Sequence, residues 1–127
     1  MRDAGWARDG AVERAGRELT FEIEPGDRLW SAVDPAGRTV GWVWVKPLAG
    51  RVAFLEQITV AAAVRRQGHG RAMLAELEEL LAGDGIEELR LHVFRANAPA
   101  RALYAAAGYE ETGRDDRRLF LRKRLQP

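Results

Sequence analysis

The chain has 127 residues, 46% of them hydrophobic, and its 20 Lys and Arg nearly balance 19 Asp and Glu for a net charge of +1. That length suits one domain, residues 1–127, around one continuous core, and the charge balance lacks the basic excess of a general nucleic-acid or anionic-membrane binder. The absence of cysteine excludes disulfides, thiolate metal sites and a cysteine nucleophile, and neither His69 nor His92 has a carboxylate at ligand spacing, so no metal is expected.

No apolar run approaches a membrane span, and the opening MRDAGWARDG carries no apolar signal-like core. A soluble, cytoplasmic protein is expected. Val12, Ala15 and Leu19 recur at i, i+3 and i+7, which predicts a short amphipathic helix over 10–20. Pro25-Gly26-Asp27 then breaks the chain. RLWSAVD (28–34), the turn Asp34-Pro35-Ala36-Gly37 and TVGWVWVKP (39–47) read as an antiparallel hairpin. Ala49-Gly50 turns the chain into a third strand, RVAFLEQITV (51–60), which completes a meander.

VRRQGHGRA (64–72) leads into a helix whose Met73, Leu74, Leu77, Leu80 and Leu81 form one stripe, with Glu76, Glu78 and Glu79 largely off it. Gly83-Asp84-Gly85 stops that helix. ELRLHVF (88–94) is a strand with Leu89, Leu91 and Val93 on one face. Asn97-Ala98-Pro99 reads as a cap followed by an early-turn proline, opening a helix that ends at Gly108. RRLFLRKR (117–124) is a last strand. Strand, helix and strand over 52–94 imply a parallel pair with a right-handed crossover, so the sheet is mixed and the fold class α/β (α+β).

The stretch Arg66–Arg71 stands between a strand and a helix. A helix start carries unpaired N–H groups and partial positive charge. Glycine lets a ligand approach the bare main chain. The segment therefore suits a phosphate or pyrophosphate, or is a tight turn and nothing more. It is neither a dinucleotide fingerprint, lacking a third glycine, nor a P-loop, lacking Gly-Lys-Ser/Thr.

VAAAVRRQGHGRAMLAELE resembles the acetyl-CoA signature of the GCN5-related N-acetyltransferases (GNAT superfamily), Arg/Gln-x-x-Gly-x-Gly/Ala, met here by Arg65, Gly68 and Gly70. LHVFRANAPARALYAAAGYE resembles the second block of that family at Asn97, Leu103, Tyr104, Gly108 and Tyr109. The two blocks and the helix between them cover residues 54–111. The resemblance implies a short member with a reduced N-terminal region, a GNAT-like mixed sheet with flanking helices, and acetyl-CoA as acyl donor. Arg65, Arg66, Gln67, Gly68, His69, Gly70 and Arg71 would cradle the pyrophosphate. Ile58, Thr59 and Val60 would pair with the pantetheine arm, a strand N–H near Val60 serving the oxyanion. Asn97 would bind that arm, cap its helix, or do both.

Acetyl transfer to an amine needs a base, since an ordinary lysine amine has a pKa of about 10.4. If 52–60 alternates regularly, Glu56 shares a face with Val52, Phe54, Ile58 and Val60, where burial would raise its pKa and suit it as base; a bulge would instead leave it in solvent. Tyr104, seven residues beyond Asn97, is the candidate acid for the leaving thiolate, or a packing aromatic. His92 is an alternative base or a structural histidine, and His69 is expected to be exposed. Trp42 and Trp44, on one strand face with Val40, are core, a subunit interface (a homodimer) or an aromatic acceptor pocket. Glu110, Glu111, Asp115 and Asp116 attract a cationic acceptor or are solvated surface.

The expected function is acetyl-CoA-dependent N-acetyltransfer to a primary amine of a small molecule, peptide or protein. The alternative is a non-catalytic acyl-CoA-binding module, a sensor or subunit. An RNA-binding surface on the basic loop and RRLFLRKR is a third reading that the near-neutral charge weakens, and no nucleic-acid or membrane partner is expected.

Overall fold

A computed structural model describes residues 11–14, 19–23, 29–61 and 68–125. Its strands are β1 (Ala11–Arg14), β2 (Leu19–Ile23), β3 (Leu29–Val33), β4 (Thr39–Leu48), β5 (Val52–Val60), β6 (Glu88–Phe94), β7 (Glu110–Arg114) and β8 (Arg118–Arg124). Helix α1 (His69–Gly83) follows β5, and α2 (Ala98–Ala106) follows β6. They form one sheet in the order β1-β2-β3-β4-β5-β6-β8-β7. Only β5 and β6 run parallel, which is the mixed sheet that the strand–helix–strand pattern predicts.

The meander, the α1 crossover and α2 stand where the residues place them, and two regions differ. The helix expected over 10–20 is replaced by β1 and β2, paired antiparallel from Ala11↔Glu22 to Arg14↔Leu19. Three apolar residues at helical spacing were a thin signal. The β-formers of LTFEI extend the sheet by pairing with β3 from Thr20↔Val33 to Ile23↔Trp30. The turn expected at Pro25-Gly26-Asp27 lies outside the described residues.

The second difference is β7. Its sequence, EETGR, offers no apolar alternation because it is an edge strand open on both faces. Pairing with β8 defines it, with Thr112 bulged between Glu111↔Leu121 and Gly113↔Phe120. Three of the four carboxylates around it hold arginines: Glu110 with Arg122 and Asp115 with Arg118, at 2.8 and 2.9 Å, and Glu111 with Arg114 at 2.7 Å.

The core lies between α1 and one sheet face. Met73, Leu74, Leu77, Leu80 and Leu81 are buried against Trp30, Val43, Val45, Leu55, Leu89 and Leu91. Each such side chain contributes roughly 1.5–3 kcal/mol of burial. Glu76 is also fully buried, and the Glu78 side chain is 14% exposed, so the stripe is wider than its apolar residues alone suggest.

Two bulges set which side chains leave this core. Ala32 pairs with Gly41 but Val33 with Thr39, so Val40 is an extra residue of β4. It turns inward and is fully buried, whereas Trp42 and Trp44 remain 38% exposed on the opposite face; Val40 does not share their face. Likewise Trp44 pairs with Gln57 and Val45 with Leu55, leaving Glu56 as the extra residue of β5. A bulge of this kind bends its strand and increases the twist.

Candidate active site

The bend has a direct consequence. β5 and β6 pair only from Val52↔Glu88 to Leu55↔Leu91. Beyond the bulge β5 stays with β4 as far as Val60, and β6 stays with β8 as far as Phe94. The two parallel strands therefore part, and an opening forms in the middle of the sheet between Glu56–Thr59 and His92–Phe94.

α1 starts at the end of β5. Gly68 is its N-cap at φ 80, ψ 8 with no side-chain cap bond, a left-handed conformation that favours glycine. A Cβ added to Gly68 would meet no atom of the described residues within 4 Å. A Cβ on Gly70 would lie 3.6 Å from Val60 Cγ2 and 3.9 Å from Leu103 Cδ2. The helix start, the end of β5 and α2 thus converge. Arg71 is exposed, whereas His69 is half-buried, and its Nε2 is buried with no hydrogen-bond partner among the described residues. The expectation of an exposed His69 is corrected: the first helical turn folds its ring inward. Arg65, Arg66 and Gln67 lie outside the described residues.

The asparagine and proline predicted to open α2 do so. Asn97 Oδ1 accepts a hydrogen bond from Ala100 N at 3.2 Å, and Pro99 lies in the first turn. The helix ends in a full Schellman motif: Gly108, at φ 95, donates to Ala105 O at 3.1 Å and Tyr109 N donates to Tyr104 O at 3.0 Å. That motif sets Tyr104 and Tyr109 ring to ring, centroids 5.6 Å apart. Tyr104 is 6% exposed, and burial pushes its phenol above the ordinary tyrosine range. Tyr109 is pushed up further, by burial and then by Glu78, to which its hydroxyl donates at 2.7 Å.

The bulge removes the regular alternation on which an apolar setting for Glu56 depended. Ile58 pairs opposite Val43 and Leu55 opposite Val45, both on the core side, while Glu56 between them turns to the open face. Its Oε2 stands 3.1 Å from Lys46 Nζ, with the side chain 26% exposed. Beside it His92 is wedged between Phe54 and Phe120, ring centroids 4.9 and 4.6 Å away. Burial, then the Arg118 guanidinium, lowers the His92 pKa, and Asp115 and Glu56 oppose the shift. Glu56, His92, Phe54, Phe94 and Arg118 line a cavity of about 220 Å³. A second, of about 260 Å³, is lined by Leu29, Trp42, Trp44, Gln57 and Thr59 on the same open face.

Sequence reasoning missed Lys46 and Phe120 as neighbours of the site, and it placed Phe54 beside Glu56 but not against His92. Lys46 was within reach, since it continues the outward alternation of Trp42 and Trp44. Phe54 and Phe120 meet His92 only across strands distant in sequence.

Set beside known proteins, residues 3–109 match the profile of the Acetyltransferase (GNAT) family. The chain belongs to that family. Two relatives come from Bacillus subtilis (strain 168). The uncharacterized N-acetyltransferase YycN is 33% identical over 91 residues, covering 69% of this chain and 58% of YycN. The uncharacterized N-acetyltransferase YdgE is 34% identical over 115 residues, covering 84% of this chain and 73% of YdgE. The chain thus spans under two thirds of the length of YycN. Among solved structures, the PaiA N-acetyltransferase of Thermoplasma acidophilum, in complex with coenzyme A, superposes with a TM-score of 0.67 at 22% identity. That match covers 76% of this chain and 59% of PaiA, and it is a likeness of fold.

The start of α1 at Gly68–Gly70 and the part of β5 that β6 leaves unpaired after Leu55 thus lie together. Among the described residues no three His, Cys, Asp or Glu side chains cluster to hold a metal ion, and no helix is long and apolar enough to cross a membrane.

Proposed function

We propose that this chain is an acetyl-CoA-dependent N-acetyltransferase acting on a primary amine of a small molecule, peptide or protein. The observation that carries the reading is the parting of β5 from β6 after Leu55, with a bare glycine helix start at the end of β5. When bound, acetyl-CoA supplies a thioester carbonyl open to attack by an amine.

The chain's own residues then bind, orient and handle protons. Backbone groups of Ile58, Thr59 and Val60 take the pantetheine arm as an added strand, and one of their amides donates to the developing oxyanion. Such a donor is worth roughly 2.7–4 kcal/mol where measured in an enzyme. The N–H groups of Gly68–Arg71 receive the pyrophosphate. The helix dipole adds only about 0.3–1 kcal/mol, so hydrogen bonds carry most of that affinity. Arg65, Arg66 and Gln67 extend the same loop in sequence. With Asn97 Oδ1 committed to its cap, the Nδ2 group is the one offered to the pantetheine.

Glu56 serves as the base. Its carboxylate already meets a primary amine, that of Lys46, at hydrogen-bonding distance. His92 is the weaker alternative, because its ring is clamped between two phenylalanines and its Nδ1 lies 3.5 Å from Arg118 Nη1. Tyr104 holds a proton at Oη for the departing thiolate, and burial keeps that proton in place. The indoles of Trp42 and Trp44 floor a place for the body of the acceptor.

Isothermal titration with acetyl-CoA, with coenzyme A and ATP as controls, tests the reading, followed by an amine screen read by thiol release. Micromolar binding of acetyl-CoA without binding of ATP is expected. Folded protein that ignores acetyl-CoA overturns the proposal.

A further inference from the structure

Of the twenty Lys and Arg residues only two, Lys46 and Lys123, are lysines, and the structure treats them differently. Lys123 Nζ donates to Glu78 Oε1 at 2.7 Å and lies 5.8 Å from the Tyr109 ring centre, with the side chain 29% exposed. Lys46 stands on the open sheet face, 55% exposed, with Nζ 3.1 Å from Glu56 Oε2. Its ladder partner is Phe54, where β5 is still paired with β6, and its Nζ reaches Glu56, just past the last paired residue, Leu55.

An arginine would serve an ion pair at least as well, because its planar fork matches a carboxylate. This chain uses arginine at nearly every basic position. What lysine alone offers at position 46 is a primary amine that can lose a proton and be acylated. A general base has to lie about 2.6–3.2 Å from the atom whose proton it takes. Glu56 meets that condition for Lys46.

We infer that Lys46 is itself an acceptor, and that the chain acetylates its own Lys46 Nζ within one molecule. The inference rests on the function proposed above. Glu56 takes one proton from the ammonium, and the freed lone pair forms the bond to the thioester carbonyl carbon. The carbon–sulfur bond breaks with its electron pair on sulfur, which takes the Tyr104 proton. The second proton lost from Nζ restores the phenol through water. The products are acetyl-Lys46, coenzyme A thiol and one proton released from Glu56 to solvent. Acetyl-Lys46 carries no charge, so the ion pair with Glu56 ends and the carboxylate is open to a second amine.

The test is incubation of the full chain with acetyl-CoA, peptide mapping of the acetyl group by mass spectrometry, and calorimetry of acetyl-CoA binding on the same sample. The expected result is label at Lys46 ahead of Lys123, at a first-order rate independent of protein concentration. Lys46→Arg should abolish that label and leave acetyl-CoA affinity as it was. Glu56→Gln should slow labelling by about 10²-fold or more. Unmodified Lys46 in a sample that binds acetyl-CoA overturns the inference and leaves the proposed function standing. Equal labelling of both lysines, or labelling undiminished in Glu56→Gln, identifies uncatalysed acetylation and also overturns it. Folded protein that binds no acetyl-CoA removes both.

Discussion

Tyr104 shows how far one residue is determined by its surroundings. Its type and its place after Asn97 are visible in the sequence, but its proton affinity comes from burial beside Tyr109. A phenol held above its ordinary pKa of about 10 stays protonated through that pH. The stability contributed by its neutral form is complete below about 10 and is lost only as pH rises toward the folded-state value. Tyr104→Phe should lower turnover about 10²-fold or more and leave the acetyl-CoA dissociation constant nearly unchanged, as thiol release and calorimetry would report; equal turnover removes the acid role. Asp115 is the opposite case. Backbone N–H groups of Arg117 and Arg118, then the Arg118 side chain, lower its pKa to about 2. Its contribution is therefore complete above the ordinary aspartate value and is lost as pH falls toward 2. A carboxyl titration followed by NMR should give a midpoint near 2 for Asp115, and in Asp115→Asn the order of the β7–β8 turn should no longer change across that range.

At the scale of elements, β4 and β5 carry the decisive irregularities. Gly41 is where β5 and α1 crowd β4. A Cβ there would lie 2.3 Å from Thr59 O and 2.7 Å from Met73 Sδ. Gly41→Ala is expected to cost about 1–3 kcal/mol or more, measured as a lower urea midpoint; an unchanged midpoint would mean that the strand yields without cost. The bulges one strand apart are harder to see in advance. Val40 and Glu56 occupy the runs VGWVWVK and VAFLEQITV, neither of which has a strict apolar–polar alternation whose break would mark a bulge. A bulge is a property of two strands in register and leaves no local mark here. β7 was illegible for a related reason, since an edge strand open on both faces needs no apolar period. Asn97 and the Gly108 helix end were legible because capping chemistry is local.

On the scale of the molecule, the candidate site brings together the end of β5, a helix start and a second helix. Gly70 lies at that meeting, between Val60 and Leu103. Gly70→Glu puts a carboxylate and a long side chain where a pyrophosphate is expected, and it should abolish acyl-CoA binding in a protein that keeps its circular dichroism. Normal affinity in that variant would remove the phosphate assignment. The sheet is also larger than the pattern of residues alone implied, because β1 and β2 extend the meander edge where a helix was expected. Its open face carries Trp42, Trp44, Phe94 and the Lys46–Glu56 pair, whereas Tyr104 is buried on the α1 side, so the groups proposed for the chemistry approach the opening from both sides of the sheet.

Local stretches of residues suffice for the family, the order of the central elements and the glycine helix start, because caps, turns and amphipathic periods act over a few residues. They also mark Glu56, Tyr104 and Asn97 as candidates. The folded sheet alone sets which way Glu56 points, that Lys46 stands beside it, that His92 is held between Phe54 and Phe120, and that β5 leaves β6 after Leu55. Those facts depend on register between strands far apart in the chain. Register is settled when a whole sheet packs against α1, and no short window of residues contains it.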